Sequence, residues 1–425
     1  MNEMTMPKPV RLAPHSNWTE KFGLPSEPVS LEDTISPEFF ALEQEAIFRR
    51  SWLYVGREER LNGPGAFFTR EFETLKKSVL LTREKTGQIR AYHNVCPHRG
   101  NTLVWDTHAS QEMSGRCRRF VCKFHGIGFG LDGKVEVLTD KAAWLDGQGE
   151  RLELATVPCE VWNGFIFVNF TPGGPRETLR EFIGEEFWTG FDGYPFGEMT
   201  EWHSFRADAD ANWKALYDGF SEVYHAATTH SVPFAMGPAE SYPVGASHFN
   251  DIALVGKHRS YLAKRAAKMP FNFPYQEATN SIAIGPQYRF PETCETLPPA
   301  ANPIGMEHWG NSTTMLWPNL YIQFYSPGWY VTYRMMPLAA NKMRFEVDTY
   351  MPKARNFSEA LAQKSCLLQF LEAALQDFSL LEAQQKGLEC RAFEKYPLTD
   401  QEVMLRQFHK QVHDAVAEYQ ETLQA

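Results

Sequence analysis

The sequence predicts an α+β protein in which a compact all-β domain is followed by a larger domain of sheet and helix. Short segments rich in β-branched and aromatic residues, such as 78–82 and 88–93, lie between turn residues over 52–171. Beyond about residue 172, alternating segments such as 319–325 predict antiparallel strands, and a helical period over 358–386 predicts one long helix. Several such strands can form a sheet that curls around the helix.

The first 51 residues are expected to form an irregular arm and a helix that pack on the second domain. Residues 1–35 are rich in proline, whereas Ser36 and Pro37 are typical of a helix cap and a first helical position. That helix is predicted to run to about Arg50. The predicted domains are therefore 1–51, 52–171 and 172–425.

Other elements follow from turn chemistry and composition. Residues 161–170 are β-rich, and Leu-Asp-Gly-Lys at 131–134 predicts a hairpin turn. The segment 235–312 is rich in proline, glycine and aromatic residues, and we interpret it as loops and short elements around a pocket. Gly387 is the expected stop signal of the long helix.

Composition excludes several classes of protein. The chain has 425 residues, a formal net charge of −10 and no basic run, so nucleic acid is not an expected partner. No apolar run is long enough to span a bilayer, and the first residues lack the pattern of a signal peptide. Seven cysteines without framework spacing favour a reducing, cytoplasmic setting with metal sites or free thiols.

Four residues in the all-β domain have the spacing of a metal cluster. Cys96 and His98 form Cys-x-His, and Cys122 and His125 form Cys-x-x-His. A Rieske [2Fe–2S] cluster requires two thiolates on one iron and two imidazoles on the other, one of each from two loops. The alternative is a zinc site with the same ligand types, although zinc fingers more often pair Cys with Cys and His with His.

Two nearby patterns are interpreted as unrelated to this site. Cys117 has no His at the required spacing, and we expect a free thiol on the connecting loop. Gly128, Gly130 and Gly133 match Gly-x-Gly-x-x-Gly, but they follow a metal loop and open a hairpin, so a dinucleotide site is not expected.

A second metal site is predicted in the larger domain. Glu222, His225 and His230 form Glu-x-x-His-x-x-x-x-His. Two imidazoles and a distant carboxylate suit mononuclear iron(II), which keeps its other positions open. Glu222 and His225 are expected to share one helix face, and the helix must end or bulge before His230. On spacing alone, such histidines are more often unrelated surface or core residues.

The long helix offers a carboxylate for that site. Phe370, Ala374, Asp377 and Leu381 fall on one helix face, and an ionised Asp among apolar neighbours is costly unless something pairs with it. A metal would pair with Asp377, and so would an arginine or a solvated edge.

Together these motifs resemble the α (oxygenase) subunit of Rieske non-haem iron ring-hydroxylating oxygenases over most of the chain. The family's cluster motif, its Asn-Trp-Lys sequence beginning at Asn212, its acid-His-His motif and its C-terminal acid followed by Glu382 and Gln385 occur here in the family order. The resemblance implies a Rieske domain at 52–171, a helix-grip catalytic domain at 172–425 and a trimer.

The resemblance also implies residue roles and partners. His225, His230 and Asp377 would hold iron(II) for O2, and Glu222 would bridge to His125 of a neighbouring subunit, with Asn212 as a further catalytic candidate. Asp218 is a weaker rival for the bridge. Electrons would come from NAD(P)H through a separate reductase, directly or through a ferredoxin. A homotrimer and an α3β3 assembly both fit the family.

The chain departs from the family in several places. The 23 residues between His98 and Cys122 exceed the usual number, and we place the excess in a surface insertion at 108–118. Lys123 and Ile127 replace the family's usual Pro and Trp, and the bridging acid is Glu rather than the more common Asp.

Three functions remain open from sequence. The chain is expected to be a terminal oxygenase that hydroxylates an aromatic or other apolar small molecule. The alternative is a monooxygenase that acts on an N-methyl, O-methyl or quaternary amine substrate. A non-catalytic electron carrier or a zinc-stabilised binding module is the third.

Overall fold

The computed structural model divides the chain into two compact units, and each is described by itself. Gln44–Ile183 form one unit, and the described residues up to Glu43 and from Gly184 onward form the other. The residues described are 17–105, 113–223, 225, 229, 251–264, 297–307, 309–325 and 329–424.

The described chain begins with short elements that lead into a capped helix. These are α1 Trp18–Lys21, β1 Val29–Ser30, α2 Glu32–Ile35 and α3 Pro37–Glu43. The Ser36 hydroxyl accepts a hydrogen bond from the Phe39 N–H at 3.1 Å, which confirms the predicted cap. One π-helical turn, Gln44–Phe48, continues the helix close to its predicted end.

The unit Gln44–Ile183 consists of three small sheets and a short helix. Its elements are β2 Trp52–Arg57, β3 Ala66–Phe72, β4 Lys77–Arg83, β5 Ile89–His93, β6 Ser114–Arg116, β7 Phe120–Val121, β8 Gly128–Phe129, β9 Val135–Val137, β10 Thr156–Val157, β11 Cys159–Trp162, β12 Phe165–Asn169 and α4 Leu179–Ile183. The strand orders are β10-β5-β4-β3-β6, β11-β12-β2 and β7-β8-β9. The β-rich prediction for this region is confirmed.

The structure adds two details to the sequence prediction for this unit and confirms a third. The β-rich segment 161–170 is a hairpin, because Asn163 and Gly164 have φ of 47° and 81° and form the tight turn that an Asn-Gly pair favours. The described end of the expected insertion forms the exposed edge strand β6, which pairs with β3. The predicted turn at 131–134 is confirmed between β8 and β9.

The second unit is built on an antiparallel sheet and two long helices. Its elements are α5 Glu185–Gly190, β13 Glu201–Ala209, α6 Trp213–Phe220, β14 Asp251–Val255, β15 His258–Lys264, β16 Trp309–Leu316, β17 Leu320–Tyr325, β18 Trp329–Ala339, β19 Lys342–Met351, α7 Phe357–Glu389, β20 Lys395–Tyr396 and α8 Val403–Gln424. Among the described residues, the large sheet has seven strands in the order β13-β19-β18-β17-β16-β15-β14. The hairpin β14–β15 lies where loops and short elements were expected.

Helix α7 buries its predicted face but does not end where predicted. Phe370 and Asp377 are buried, and the Phe370 ring packs against strand residues Tyr325 and Tyr333. The helix continues through Gly387 to Glu389, so the stop signal at Gly387 is wrong. A glycine inside a helix costs about 1 kcal/mol, and burial of Leu388 beyond it offsets that cost. Within the described residues, no helix has the length and apolarity needed to cross a membrane.

A buried ion pair joins α3 to the start of α6. Asn212 caps α6 by accepting the Lys214 N–H at 2.9 Å. The next two residues both bind Glu43, through the Trp213 indole at 2.8 Å and the Lys214 ammonium at 2.5 Å. Both charged side chains of the pair are 0% exposed. Burial raises the pKa of Glu43, and the Lys214 charge opposes that rise.

Replacing Lys214 by Met is expected to lower the free energy of unfolding by about 3–5 kcal/mol, because Glu43 stays buried without its cation. Urea denaturation followed by tryptophan fluorescence measures the change. The matched control is Lys410→Met, which removes an exposed ion pair with Asp414 and is expected to cost less than about 1 kcal/mol. Equal losses in the two variants would contradict the role of the buried pair.

The contact between Asp33 in the N-terminal segment and His413 of α8 is expected to depend on pH. The hydrogen bond that His413 donates to the Asp33 carboxylate raises the pKa of His413 above its usual 6.5, against the effect of partial burial. This contact therefore stabilises the folded protein fully below about pH 6.5. The stabilisation is lost as the pH rises through the higher pKa that His413 has in the folded state. Titration of ¹⁵N-labelled histidine by NMR measures that pKa. Asp33→Asn is expected to bring it back towards 6.5, and a wild-type pKa at or below 6.5 would refute this account.

Candidate metal centres

The two loops that carry the predicted cluster residues have the same backbone hydrogen bonds. In the first loop, the Cys96 N–H donates to the Asn101 carbonyl, and the Cys96 carbonyl accepts from the Gly100 N–H. In the second loop, the Cys122 N–H donates to the Ile127 carbonyl, and the Cys122 carbonyl accepts from the Gly126 N–H. Both loop glycines have φ near 75°, a conformation that glycine adopts without a steric penalty. The repeated loop geometry presents one Cys and one His from each side.

The side chains of these loops converge. Cys96 and Cys122 are both buried and free, and burial, followed by effects that include the Cys122 thiol, raises the pKa of Cys96. The rings of His98 and His125 have centroids 4.8 Å apart. Among the described residues, the buried Nδ1 of His98 has no hydrogen-bond partner. Two thiols beside two imidazoles, one with an unused ring nitrogen, fit a [2Fe–2S] cluster.

Aromatic and cationic side chains surround the loops. Phe124 is 55% exposed and stacks on His125 with centroids 4.1 Å apart, and the Arg99 guanidinium lies over the Phe124 ring. Lys123, which replaces the family's usual Pro, lies over Trp105 at 4.4 Å. Ile127 is fully buried beneath the loops. The departures from the family thus change the rim and the base of the site, whereas the four candidate ligands are unchanged.

The two unrelated patterns behave as predicted in the described structure. Cys117 is a free, partly buried thiol, and burial raises its pKa to about 11. Gly128 lies in β8 and Gly133 in the turn that follows, so the glycine pattern forms a hairpin rather than a strand-to-helix turn.

Glu222 and His225 are joined by two hydrogen bonds. One Glu222 carboxylate oxygen accepts the His225 N–H at 3.0 Å, and the other contacts His225 Nδ1. The expectation that both lie on one helix is wrong, because α6 ends at Phe220. In a longer helix the His225 N–H would bond to the Ser221 carbonyl, and the carboxylate takes that donor instead.

Asp377 of α7 meets the same imidazole from its other side. His225 Nε2 lies 3.4 Å from an Asp377 carboxylate oxygen. Burial lowers the pKa of His225, but hydrogen bonds and charge from Asp377 and Glu222 outweigh it and raise the pKa to about 10. Two carboxylates that favour a proton on this ring also favour a metal cation there, since metal and proton compete for the same nitrogen.

The predicted third iron ligand, His230, lies outside the described residues. Within the described residues, no three His, Cys, Asp or Glu side chains are arranged so that together they could hold one metal ion. A two-iron cluster does not require such a group, because each iron takes two protein ligands. Of the three ligands predicted for the mononuclear iron, His225 and Asp377 are described, and the structure brings them together.

Asn212, the further catalytic candidate, is completely buried. Its side chain accepts the Lys214 N–H and donates to the Ala340 carbonyl at 2.6 Å. Its own N–H donates to Gln385 of α7 at 2.9 Å, and Glu382 accepts from the neighbouring Asp210. Asn212 therefore links α6 to α7, and a part in turnover would come through positioning.

Sequence reasoning missed two buried partners near this site. Glu43 binds Trp213 and Lys214, and His409 of α8 bonds to Asp218 at 2.9 Å. No local spacing signals either partner, because both come from distant parts of the chain. Asp218 is already bonded to His409, whereas Glu222 contacts His225. This difference favours Glu222 over Asp218 as the candidate bridging acid.

Family models match both units. The model described as "Rieske [2Fe-2S] domain" matches residues 51–158, and the model described as "Ring hydroxylating alpha subunit (catalytic domain)" matches residues 196–418. The first implies a [2Fe–2S] cluster, and the second implies a mononuclear iron that uses O2.

Known proteins similar to this chain include oxygenases of two kinds. Chloroplastic choline monooxygenase of Amaranthus tricolor is 25% identical over 374 residues, which span 84% of this chain and 70% of the relative. The large oxygenase component of the naphthalene 1,2-dioxygenase system of Ralstonia sp is 31% identical over 220 residues, 49% of this chain and 45% of the relative.

Solved structures share the fold. Naphthalene 1,2-dioxygenase from Rhodococcus sp. bound to indole superposes with a TM-score of 0.69 at 18% identity, covering 92% of this chain and 95% of that chain. The Rieske model covers the unit with the paired Cys-His loops, and the catalytic model covers the unit with Glu222, His225 and Asp377. The chain belongs to the family of ring-hydroxylating oxygenase α subunits, with a Rieske [2Fe–2S] domain ahead of its catalytic domain.

Proposed function

We propose that this protein is the terminal oxygenase component of a multicomponent system. It uses O2 and electrons from a partner reductase to hydroxylate an aromatic or other apolar substrate at a mononuclear iron(II). The observation that carries the proposal is the position of His225 between Glu222 and Asp377. The sequence motifs assign the bridging role to Glu222 and iron binding to Asp377, and both carboxylates contact the ring of His225.

Cys96, His98, Cys122 and His125 hold the [2Fe–2S] cluster in this proposal. Their support is the matched pair of loops and the closeness of the His98 and His125 rings. Imidazole ligands raise the reduction potential of such a cluster relative to thiolates. The cluster domain would therefore accept electrons from a low-potential donor and pass them on.

His225, His230 and Asp377 hold iron(II). Bound there, iron would supply the open coordination positions at which O2 is activated. Glu222 orients His225, since its two oxygens engage both Nδ1 and the backbone N–H of that residue. A carboxylate behind a ligand histidine fixes the ring and increases its basicity.

Glu222 is also the proposed bridge to His125 of a neighbouring subunit. Each carboxylate oxygen has two lone pairs, so the contacts with His225 leave capacity for one more N–H. The bridge gives electrons a short bonded route between the two sites. Asn212 acts as a positioning residue, because it ties the start of α6 to α7.

The proposed partners follow from this role. A separate reductase supplies electrons from NAD(P)H, directly or through a ferredoxin, and the oxygenase assembles as a homotrimer or as α3β3. One relative is called the large oxygenase component of a dioxygenase system, which supports a multicomponent arrangement.

A second candidate is monooxygenation of an N-methyl, O-methyl or quaternary amine substrate. The similarity to choline monooxygenase over 84% of this chain favours it. Product analysis separates the two, because ring dioxygenation gives a cis-diol whereas demethylation releases formaldehyde. A non-catalytic carrier or zinc module gains no support, because the catalytic family model matches residues 196–418.

The purified protein is expected to contain about three irons and two acid-labile sulfides per chain, two irons in the cluster and one outside it. Colorimetric assay and EPR of the reduced protein measure this. Cys122→Ser is expected to remove the sulfide and leave about one iron. Asp377→Ala is expected to remove the single iron and leave the sulfide. Zinc without sulfide would reject the cluster assignment.

Replacing Glu222 by Gln is expected to slow product formation by about 10- to 100-fold while iron and sulfide stay unchanged. An amide has one acceptor oxygen and cannot accept an N–H from two imidazoles through separate oxygens. Single-turnover oxidation of the reduced cluster, followed by its absorbance, measures the electron route directly.

The matched control is Glu402→Gln. Burial raises the pKa of Glu402 against the hydrogen bonds with Thr399, and the negative charge of Glu222 adds to that rise. Glu402 also closes a capping box that Gln supports equally. The Glu402→Gln substitution therefore removes one charge near Glu222 from a side chain that does not contact His225. Normal turnover in Glu222→Gln with both metal sites intact would reject the bridge.

A further inference from the structure

One face of the large sheet carries polar side chains in a row across three strands. Tyr261 of β15 pairs with Thr313 of β16, and Thr313 pairs with Gln323 of β17. Directly paired residues in an antiparallel sheet project to the same side. Gln323 accepts a hydrogen bond from the Tyr333 hydroxyl at 2.5 Å, and the Tyr333 ring packs against Phe370 of α7. We call Tyr261, Thr313 and Gln323 the polar row, and it lies on the face that packs against α7.

The polar row adjoins the proposed iron site. The Tyr333 ring packs against Phe220, the last residue of α6, which lies two residues before Glu222. The same ring packs against Phe370, which lies about two turns before Asp377 on α7. Burial raises the pKa of the Tyr325 and Tyr333 phenols, so both remain neutral hydrogen-bonding groups at physiological pH. Since Asp377 also lies 3.4 Å from His225, the packing around Tyr333 places the polar row beside the residues of the proposed iron site.

The row has hydrogen-bonding capacity that the described protein does not use. The Thr313 hydroxyl is 1% exposed and has no hydrogen-bond partner among the described residues. The Gln323 oxygen takes the Tyr333 proton, and its amide nitrogen is a further donor. A valine at 313 would have the same shape without a buried hydroxyl. Thr313 differs from Thr314, which is similarly unpartnered within the described structure, because it lies on the face of the sheet that packs against α7.

The charge of this region limits what that ligand atom can be. The row and its two tyrosines contain no Lys or Arg, so they offer no cationic partner to an anionic group. A quaternary ammonium group has neither a donor nor an acceptor for these side chains. A neutral oxygen can accept from Thr313 and from the Gln323 amide.

We propose that Thr313 and Gln323 hydrogen-bond a neutral oxygen substituent of the substrate, so that the enzyme prefers a ring bearing a hydroxyl or carbonyl to the bare hydrocarbon ring. This inference rests on the proposed oxygenase function and names the substrate class of the same site. Phe370, which packs against Tyr325 and Tyr333, supplies apolar surface for the ring itself. Specificity of this kind arises because a site built to hydrogen-bond a substrate is left with buried groups unsatisfied when the analogue lacks the substituent.

The test uses pairs of bicyclic arenes that differ by one hydroxyl or carbonyl. Isothermal titration calorimetry on the purified protein measures the Kd of each member, and kcat/KM is measured where a pair is oxidised. The oxygen-bearing member is expected to bind at least about 10-fold more tightly. Thr313→Val and Gln323→Leu are each expected to reduce that ratio by about 2- to 12-fold, the range for one neutral hydrogen bond.

Thr314 provides a matched control on the opposite face. It is fully buried, and its hydroxyl likewise has no hydrogen-bond partner among the described residues, but its strand pairs it with Ile322 and Ser260. Thr314→Val is therefore expected to leave the ratio unchanged. An equal effect of the Thr313 and Thr314 substitutions would show general packing rather than recognition.

The outcomes for this inference and for the proposed function are separate. Equal binding of both members, no binding by any pair, or an unchanged ratio in Thr313→Val would overturn the inference. The iron and sulfide content and the Glu222→Gln experiment would still support an oxygenase in that case. A protein without the single iron would overturn the proposed function, whereas the calorimetric ratio would still decide whether the polar row recognises an oxygen substituent.

Discussion

The ion pair between Glu43 and Lys214 fixes the geometry of the catalytic unit. Both charges are excluded from water, so each depends on the other and neither can move alone without a large electrostatic penalty. Trp213 adds a second bond to the same carboxylate, which sets the rotation of α6 as well as its position. The segment that follows this helix carries Glu222 and His225. A buried ion pair outside the proposed iron site therefore limits where Glu222 and His225 can be.

Helix α7 completes that arrangement from the other side. Gln385 binds the backbone at Asn212, while Asp377, about two turns earlier on α7, faces His225. One rigid helix thus carries both an anchor to α6 and a carboxylate for the site. The position of Asp377 along α7 is then set by helical backbone hydrogen bonding rather than by a flexible loop. Rigid support of this kind is what a ligand set needs when its metal must keep open positions.

Local chemistry made parts of this structure predictable. The Cys-His loops and the Ser36 cap depend on residues a few positions apart, and both are found where spacing places them. Features that depend on competition or on distant partners were not predictable. The end of α6 depends on whether the His225 N–H bonds to a backbone carbonyl or to the Glu222 carboxylate. Helix α7 continues past Gly387 because Leu388 is buried beyond it. The polar row exists only through strand register, which brings Tyr261, Thr313 and Gln323 together although none has a motif of its own.

The surface beside His125 is ordered before anything covers it. Phe124 is held by stacking on His125 and by the Arg99 guanidinium above it, and Lys123 is held over Trp105. Long cationic side chains normally lose rotamer entropy when a surface becomes buried, and that loss opposes association. Here part of that entropy is already lost in the isolated unit. A protein that approaches the cluster would meet a preorganised rim and could form a complex that is short-lived yet well aligned, which suits repeated transfer of single electrons.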